Sequence, residues 1–217
     1  MVDWIRNIAR AIALAASCAF LALLGGGLPF VYSPIGAAYT ILWAFMGGAY
    51  MLGRPSGVKS QYDKGAWKAL ALLGIFLVAA FFGSAWEYAN LPATLPRDGL
   101  LNWLGLLLFS VGLALQAWAM LVLHGGYTFR LGIQPGHKLV TTGPYAIVRH
   151  PGYFGTIVSM AGAGIAFGSV IGVASALLTA VSMVLRIKPE EKMLGKEFGK
   201  KYSEYKKRVK CLIPLAY

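Results

Sequence analysis

Four runs of about twenty mostly apolar residues fill the first 123 positions of this 217-residue chain, fenced by glycine, proline and basic residues. Crossing ~30 Å of hydrocarbon takes about 20 residues of helix, and every backbone polar group must be paired on the way. Continuous runs of this length therefore read as membrane helices. Residues 8–28 form the first predicted span, ended by Gly25, Gly26, Gly27 and Pro29. Residues 34–52 form the second, closed by Gly53 and Pro55, and 66–86 the third, with Trp67 and Trp86 as interfacial anchors. The fourth, 100–123, ends at His124, Gly125 and Gly126. Gly47, Gly48, Gly74, Gly105 and Gly112 suit close helix packing.

Composition agrees. The chain is 58% hydrophobic with mean hydropathy +0.63, and 13% of it is charged, against roughly 25% in soluble domains. A net charge of +12 would suit nucleic acid, but its placement between apolar blocks is how a membrane protein meets anionic lipid. With the N-terminus in the cytoplasm, nineteen of the twenty Lys and Arg residues fall on the cytoplasmic side and only Arg97 lies outside. This asymmetry predicts a multi-pass protein with both termini cytoplasmic, in the plasma membrane of a prokaryote or the endoplasmic reticulum of a eukaryote. Arg6 and Arg10 ahead of an apolar run have the outline of a signal peptide, but the later spans make it a retained first helix. Cys18 and Cys211 form no disulfide framework.

A second apolar region, 153–187, breaks near Gly168 and Ser169. Its first arm of about 15 residues rises only ~22 Å, so a helical hairpin is expected, re-entrant or packed on the fourth helix. From Glu190 onward, Met193, Leu194, Phe198, Tyr202, Tyr205 and Val209 recur at helical steps among lysines. That pattern predicts a basic amphipathic helix on the membrane surface. The expected fold is an all-α integral membrane protein of about six helices, four spans plus a C-terminal helical hairpin, with a cytoplasmic amphipathic helix and no Rossmann domain. It is read as one domain, 1–217. Within it, 1–124 make the four-helix part and 125–217 the loop, hairpin and tail.

Polar chemistry concentrates between Gln134 and Tyr153. Two of the three histidines, His137 and His150, lie here with Arg149, Tyr145 and Tyr153, punctuated by Pro144, Pro151, Gly136, Gly143 and Gly152. This density exceeds what a plain linker needs. No dinucleotide-binding glycine motif, phosphate loop or zinc-ligand spacing is present. No histidine has a carboxylate close in sequence, so no metal site is expected. A hairpin brings its ends together, so Arg149, His150 and Tyr153 should meet Arg186, Glu190 and Glu191. Arg186 and Glu190, four apart, share a helix face. Two readings stand: an interfacial ion pair worth ~0.5 kcal/mol, or a split role with Glu190 binding a cation and Arg186 an anion.

Three separated blocks carry a resemblance. They are His137-x-Leu139-Val140-x-x-Gly143-Pro144-Tyr145, then Val148-Arg149-His150-Pro151-x-Tyr153, then Arg186-x-x-x-Glu190-Glu191-x-x-Leu194-x-x-x-Phe198-Gly199-x-x-Tyr202-x-x-Tyr205. Together they resemble the isoprenylcysteine carboxyl methyltransferase family over residues 134–214. The resemblance implies an integral membrane enzyme that uses S-adenosylmethionine without a Rossmann domain. It further implies that Gln134, His137, Lys138, Leu139, Val140 and Tyr145 surround the adenosine end of the cofactor. His150, Pro151, Gly152 and Tyr153 would line its methionine portion, with Arg149 in the same cofactor-binding set. Glu190 corresponds to the carboxylate that holds the cofactor, and Arg186 to the arginine beside the methyl acceptor. Gly152 departs from the bulkier residue frequent in the family, and Lys200 and Lys201 replace an acidic pair.

The expected activity is methylation of the carboxylate of a prenylated cysteine or similar lipidated substrate, with membrane lipid as surroundings and neither nucleic acid nor metal as partner. A carboxylate acceptor is already ionised at pH 7 and needs no general base; an amine or thiol would need proton removal. A phospholipid amine or small thiol is the alternative acceptor. A non-catalytic membrane protein with a lipid-binding basic tail is the alternative class.

Overall fold

The computed structural model describes residues 2–53, 61–62, 67–92, 97, 99–123, 132–133 and 138–213. Gln134 and His137, expected near the cofactor, lie outside the described residues, as do His124 and most of the basic loop after the second predicted span.

The first apolar run is helix α1 (Val2–Leu24). It stops four residues short of the predicted end because Gly26 and Gly27 take φ of 99° and 79°, conformations that break helical bonding and favour glycine. A one-turn helix α2 (Leu28–Tyr32) follows, then α3 (Pro34–Gly53). The third run, α4 (Trp67–Val78) and α5 (Ser84–Asn90), is joined by a π-helical turn (Ala79–Gly83). Helix α6 (Leu100–Val122) is the fourth. The expected hairpin is α7 (Pro151–Ala166) and α8 (Val170–Phe198), and α9 (Lys200–Arg208) ends the described fold. A two-residue antiparallel pair, β1 (Gln61–Tyr62) with β2 (Gly132–Ile133), links two loops.

Ala71–Asn90, Leu100–Val122 and Val170–Phe198 are long and apolar enough to cross a membrane, and Ile8–Leu24 and Pro34–Phe45 are shorter apolar helices. Many of their large apolar side chains, including Phe45, Ile75, Leu107 and Leu185, point outward. In water that surface would be untenable; in lipid it is the solvated face.

Two devices lock the interior. The first is a close α6–α7 contact. A Cβ placed on Gly112 would lie 2.4 Å from Ser159 N, and one on Gly162 2.3 Å from Phe109 N. Gly105 and Gly155 are equally hemmed in, so the two backbones touch along several turns, as small residues permit in membranes. The polar bond from Gln116 Nε2 to Thr156 Oγ1, 3.1 Å, lies in the same seam. An aromatic cluster fills the centre, with Tyr39 stacked on Phe109 at 4.6 Å and edge-on to Phe167.

The second device caps α8. Glu87 on α5 is buried, and its carboxylate accepts from Ser169 Oγ at 2.6 Å, Val170 N at 3.0 Å and Ile171 N at 2.9 Å. The free N–H groups and positive dipole end of a helix favour an anion there. Glu87→Ala leaves these buried donors unpaired, so a loss of about 2–3 kcal/mol is expected. Thermal unfolding in detergent measures it, and a melting temperature equal to wild type would refute the cap's importance.

The tail departs from expectation in two ways. Helix α8 runs through Pro189 to Phe198 instead of ending before Glu190, and the chain turns only at Gly199, φ 52°. The apolar stripe of α9 also faces protein: Tyr202 and Tyr205 are each 3% exposed. An amphipathic pattern reports a buried face without saying whether lipid or protein covers it. Here protein does.

Candidate active site

Thr142–His150 form an irregular loop under α6. Gly143 takes φ 60°, and a Cβ there would come 3.1 Å from Val122. Pro144 then opens a single 3-10 turn (Gly143–Ala146). Tyr145 donates to Ala119 O at 3.4 Å, and its own carbonyl accepts from Tyr205 OH at 2.6 Å. The loop is thus held between α6 and α9. Residues 209–211 strap it further: Val148 bridges Lys210, Arg149 N donates to Lys210 O at 2.8 Å, and His150 N to Cys211 O at 3.1 Å. Lys138, Leu139 and Val140 lie upstream in irregular chain, Lys138 being exposed and the other two half-buried.

Pro151 starts α7, where a missing N–H costs nothing. That start places His150, Pro151, Gly152 and Tyr153 opposite the third turn from the end of α8. The hairpin does bring its two ends together. Tyr153 OH donates to Glu190 Oε2, and the His150 and Tyr153 rings stack at 5.4 Å and 18°. The Arg186 guanidinium lies over the Tyr153 ring at 5.8 Å, and Arg186 is 7% exposed. Pro151 and Gly152 are buried, and the Gly152 carbonyl is engaged by Thr156 Oγ1 at 2.8 Å.

The two adjacent glutamates have different surroundings. Glu191 faces Arg149, with Oε1 2.8 Å from Nε and 2.6 Å from Nη2, and Lys206 Nζ is 2.6 Å from Oε2. Glu190, by contrast, keeps 24% of its side-chain surface open, against 11% for Glu191. Glu191 is therefore a structural anion neutralised inside the protein, and Glu190 is the carboxylate still able to meet a ligand. Arg149 also donates to Lys206 O at 3.3 Å and to Val209 O, the last carbonyls of α9 and its cap. With its guanidinium so engaged, Arg149 ties α7, α8 and α9 together.

His150 stands between the glutamates, Nδ1 3.9 Å from Glu190 Oε2 and Nε2 3.6 Å from Glu191 Oε1. Burial opposes a charged imidazole, but the neighbouring Cys211 and Glu191 and the field of Glu190 outweigh it, lifting the pKa from 6.5 to about 9. Sequence reasoning missed Cys211, Tyr205 and Lys206. Tyr205 stood in the motif and in the helical period of the tail, Lys206 and Cys211 in neither, and nothing in that pattern names a partner 15 to 60 residues away.

A sequence model of the isoprenylcysteine carboxyl methyltransferase family matches residues 103–196. A probable protein-S-isoprenylcysteine O-methyltransferase of Oryza sativa subsp. indica is 26% identical over 182 residues, spanning 82% of this chain and 89% of the relative. The protein-S-isoprenylcysteine O-methyltransferase of Schizosaccharomyces pombe is 41% identical over 85 residues, or 36% of this chain and 34% of the relative. Among solved structures, the eukaryotic intramembrane Ras methyltransferase, an isoprenylcysteine carboxyl methyltransferase, has a similar fold. The TM-score is 0.62 at 23% identity, covering 93% of this chain and 75% of that one.

Proposed function

We propose that the chain is a member of the isoprenylcysteine carboxyl methyltransferase family, whose model matches residues 103–196, and that it transfers a methyl group from S-adenosylmethionine to the carboxylate of an isoprenylcysteine-like, lipid-tailed acceptor. The observation that carries this reading is the meeting of an open Glu190 and a buried Arg186 on either side of Tyr153. One site thus offers an anion for a cationic donor and a cation for an anionic acceptor.

When bound, S-adenosylmethionine supplies an electrophilic methyl carbon on a sulfonium. Glu190, fixed by the Tyr153 hydroxyl, holds the donor's ammonium group. His150, Pro151, Gly152 and Tyr153 wall its methionine portion. Lys138, Leu139, Val140 and Tyr145 lie at its adenosine end. Arg149 acts by holding this wall against α9. Arg186 pairs with one carboxylate oxygen of the acceptor and leaves the other free to attack. No proton need move, because the acceptor is ionised at neutral pH. What the protein supplies is alignment and exclusion of water, which together remove much of the barrier for two oriented reactants. The basic-residue asymmetry supports a cytoplasmic site with both termini on that side, and the outward apolar faces suit an acceptor whose tail enters from lipid.

The test is methyl transfer from labelled donor to a farnesylcysteine by the purified chain, alongside a phospholipid amine and a small thiol. Farnesylcysteine alone should be methylated. Arg186→Ala should bind the donor normally and lose turnover by at least about 100-fold, the scale expected when an oriented charge partner is lost. Near-wild-type methylation by Arg186→Ala would remove its role, and activity only on the amine or thiol would replace the acceptor.

A further inference from the structure

We propose that the outward face of α8 binds an anionic phospholipid, with Lys188 and Lys192 holding its phosphate. At 3.6 residues per turn, Leu177, Val181, Leu185, Lys188, Lys192 and Lys196 fall in one sector of α8 about 100° wide. The first three are 65%, 57% and 69% exposed, and all three lysines are exposed. One outward stripe therefore changes from apolar to cationic within a turn, between Leu185 and Lys188. The buried Thr179, Met183 and Arg186 lie on the other side of the helix, and the same spacing puts Glu190 and Glu197 there too. Glu191 is already neutralised by Arg149 and Lys206. Among the described residues, Lys188 and Lys192 form no ion pair. Like charges four positions apart on a helix repel, so an anion bridging them is stabilising.

Height selects two of the three lysines. The helical rise puts the Cα atoms of Lys188, Lys192 and Lys196 about 4.5, 10.5 and 16.5 Å beyond that of Leu185. Side chains on a helix tilt toward its N-terminus, which for α8 is back toward the hydrocarbon. The headgroup layer is only about 5–7 Å deep. Lys188 and Lys192 can bring their ammonium groups to the level of the phosphates, as long cationic side chains do at an interface. Lys196 stands outside that layer.

The stripe also decides the class of partner. An acidic peptide or a nucleic acid would answer the lysines and leave the apolar half uncovered. A phospholipid answers both, with acyl chains along Leu177, Val181 and Leu185 and a phosphate across the lysines. Bound there, it fixes the height of α8 in the bilayer, and with it Arg186 and Glu190 on the far side.

The full-length chain is released from nanodiscs of equal parts phosphatidylcholine and phosphatidylglycerol, and its retained lipids are identified by native mass spectrometry. Phosphatidylglycerol should be preferred by roughly 10- to 30-fold, the scale for two lysines at an anionic surface. The preference should fall below about threefold in the double variant Lys188→Gln, Lys192→Gln. It should persist in Lys188→Arg, Lys192→Arg, and in Lys196→Gln, Lys200→Gln, which removes the same charge. No methyl transfer enters this readout. Absence of a preference, its survival in the first double variant, or its equal loss in the charge-matched one would overturn the site. Millimolar inorganic phosphate raising the melting temperature in detergent as much as phosphatidylglycerol would overturn the lipid as its occupant.

Discussion

Glu190→Ala should abolish saturable binding of S-adenosylmethionine to the detergent-purified protein while leaving its melting temperature close to wild type. Truncating one partner of a desolvated charge pair typically costs 2–5 kcal/mol, and each 1.4 kcal/mol is tenfold in affinity. A loss of at least about 30-fold is therefore expected by calorimetry. Glu190→Gln, which keeps the shape and the acceptor for Tyr153 OH, should show a smaller loss. The neighbouring Glu191→Ala should behave differently. It releases Arg149 and Lys206 together, so its first effect is on stability and on the seating of α9, with loss of donor binding following from that. Donor binding by Glu190→Ala within threefold of wild type would show that the cofactor's ammonium is held elsewhere.

Replacing Gly112 by Leu should disrupt the protein more than any single change in the polar site. Its Cβ alone would meet Ser159 N at 2.4 Å and Gly155 O at 2.6 Å, both backbone atoms of α7. Backbone cannot rotate aside as a side chain can, so α6 and α7 must separate. Overpacking of this kind costs about 1–3 kcal/mol or more. Separation also breaks the Gln116–Thr156 bond and shifts the start of α7, where His150 and Tyr153 stand. Poor yield of folded protein, a lowered melting temperature and weakened donor binding are expected together. Gly74→Ala is the control, since nothing lies within 4 Å of a Cβ there and alanine is the better helix former by about 1 kcal/mol. If Gly112→Leu melted like Gly74→Ala, the close helix contact would not be holding the fold.

Much of this molecule was legible before its structure. Uninterrupted apolar runs leave a chain few options in hydrocarbon, so the helices and the turn at Gly168 followed from hydropathy and glycine placement. The meeting of the hairpin's ends was legible too, because the turn between 153 and 187 returns Glu190 to Tyr153. The fate of Arg149 was not legible. Its guanidinium reads equally as a ligand-binding cation or a structural tie until Glu191, Lys206 and Val209 are seen around it. What covers the apolar stripe of the tail was not legible for a related reason, since an amphipathic period has the same form against lipid as against protein.

The sequence by itself therefore determined that this chain is helical, embedded in a membrane and equipped with a carboxylate and an arginine at the mouth of one hairpin. These are consequences of local period, length and short loops, all of which act between residues near in sequence. Only the tertiary structure decided which of two adjacent glutamates stays open, what covers the stripe of α9, and that Cys211 comes to lie against His150. Those outcomes depend on contacts spanning 15 to 61 positions. They are set by which charges and surfaces the packed helices leave unpaired, and no local pattern encodes that.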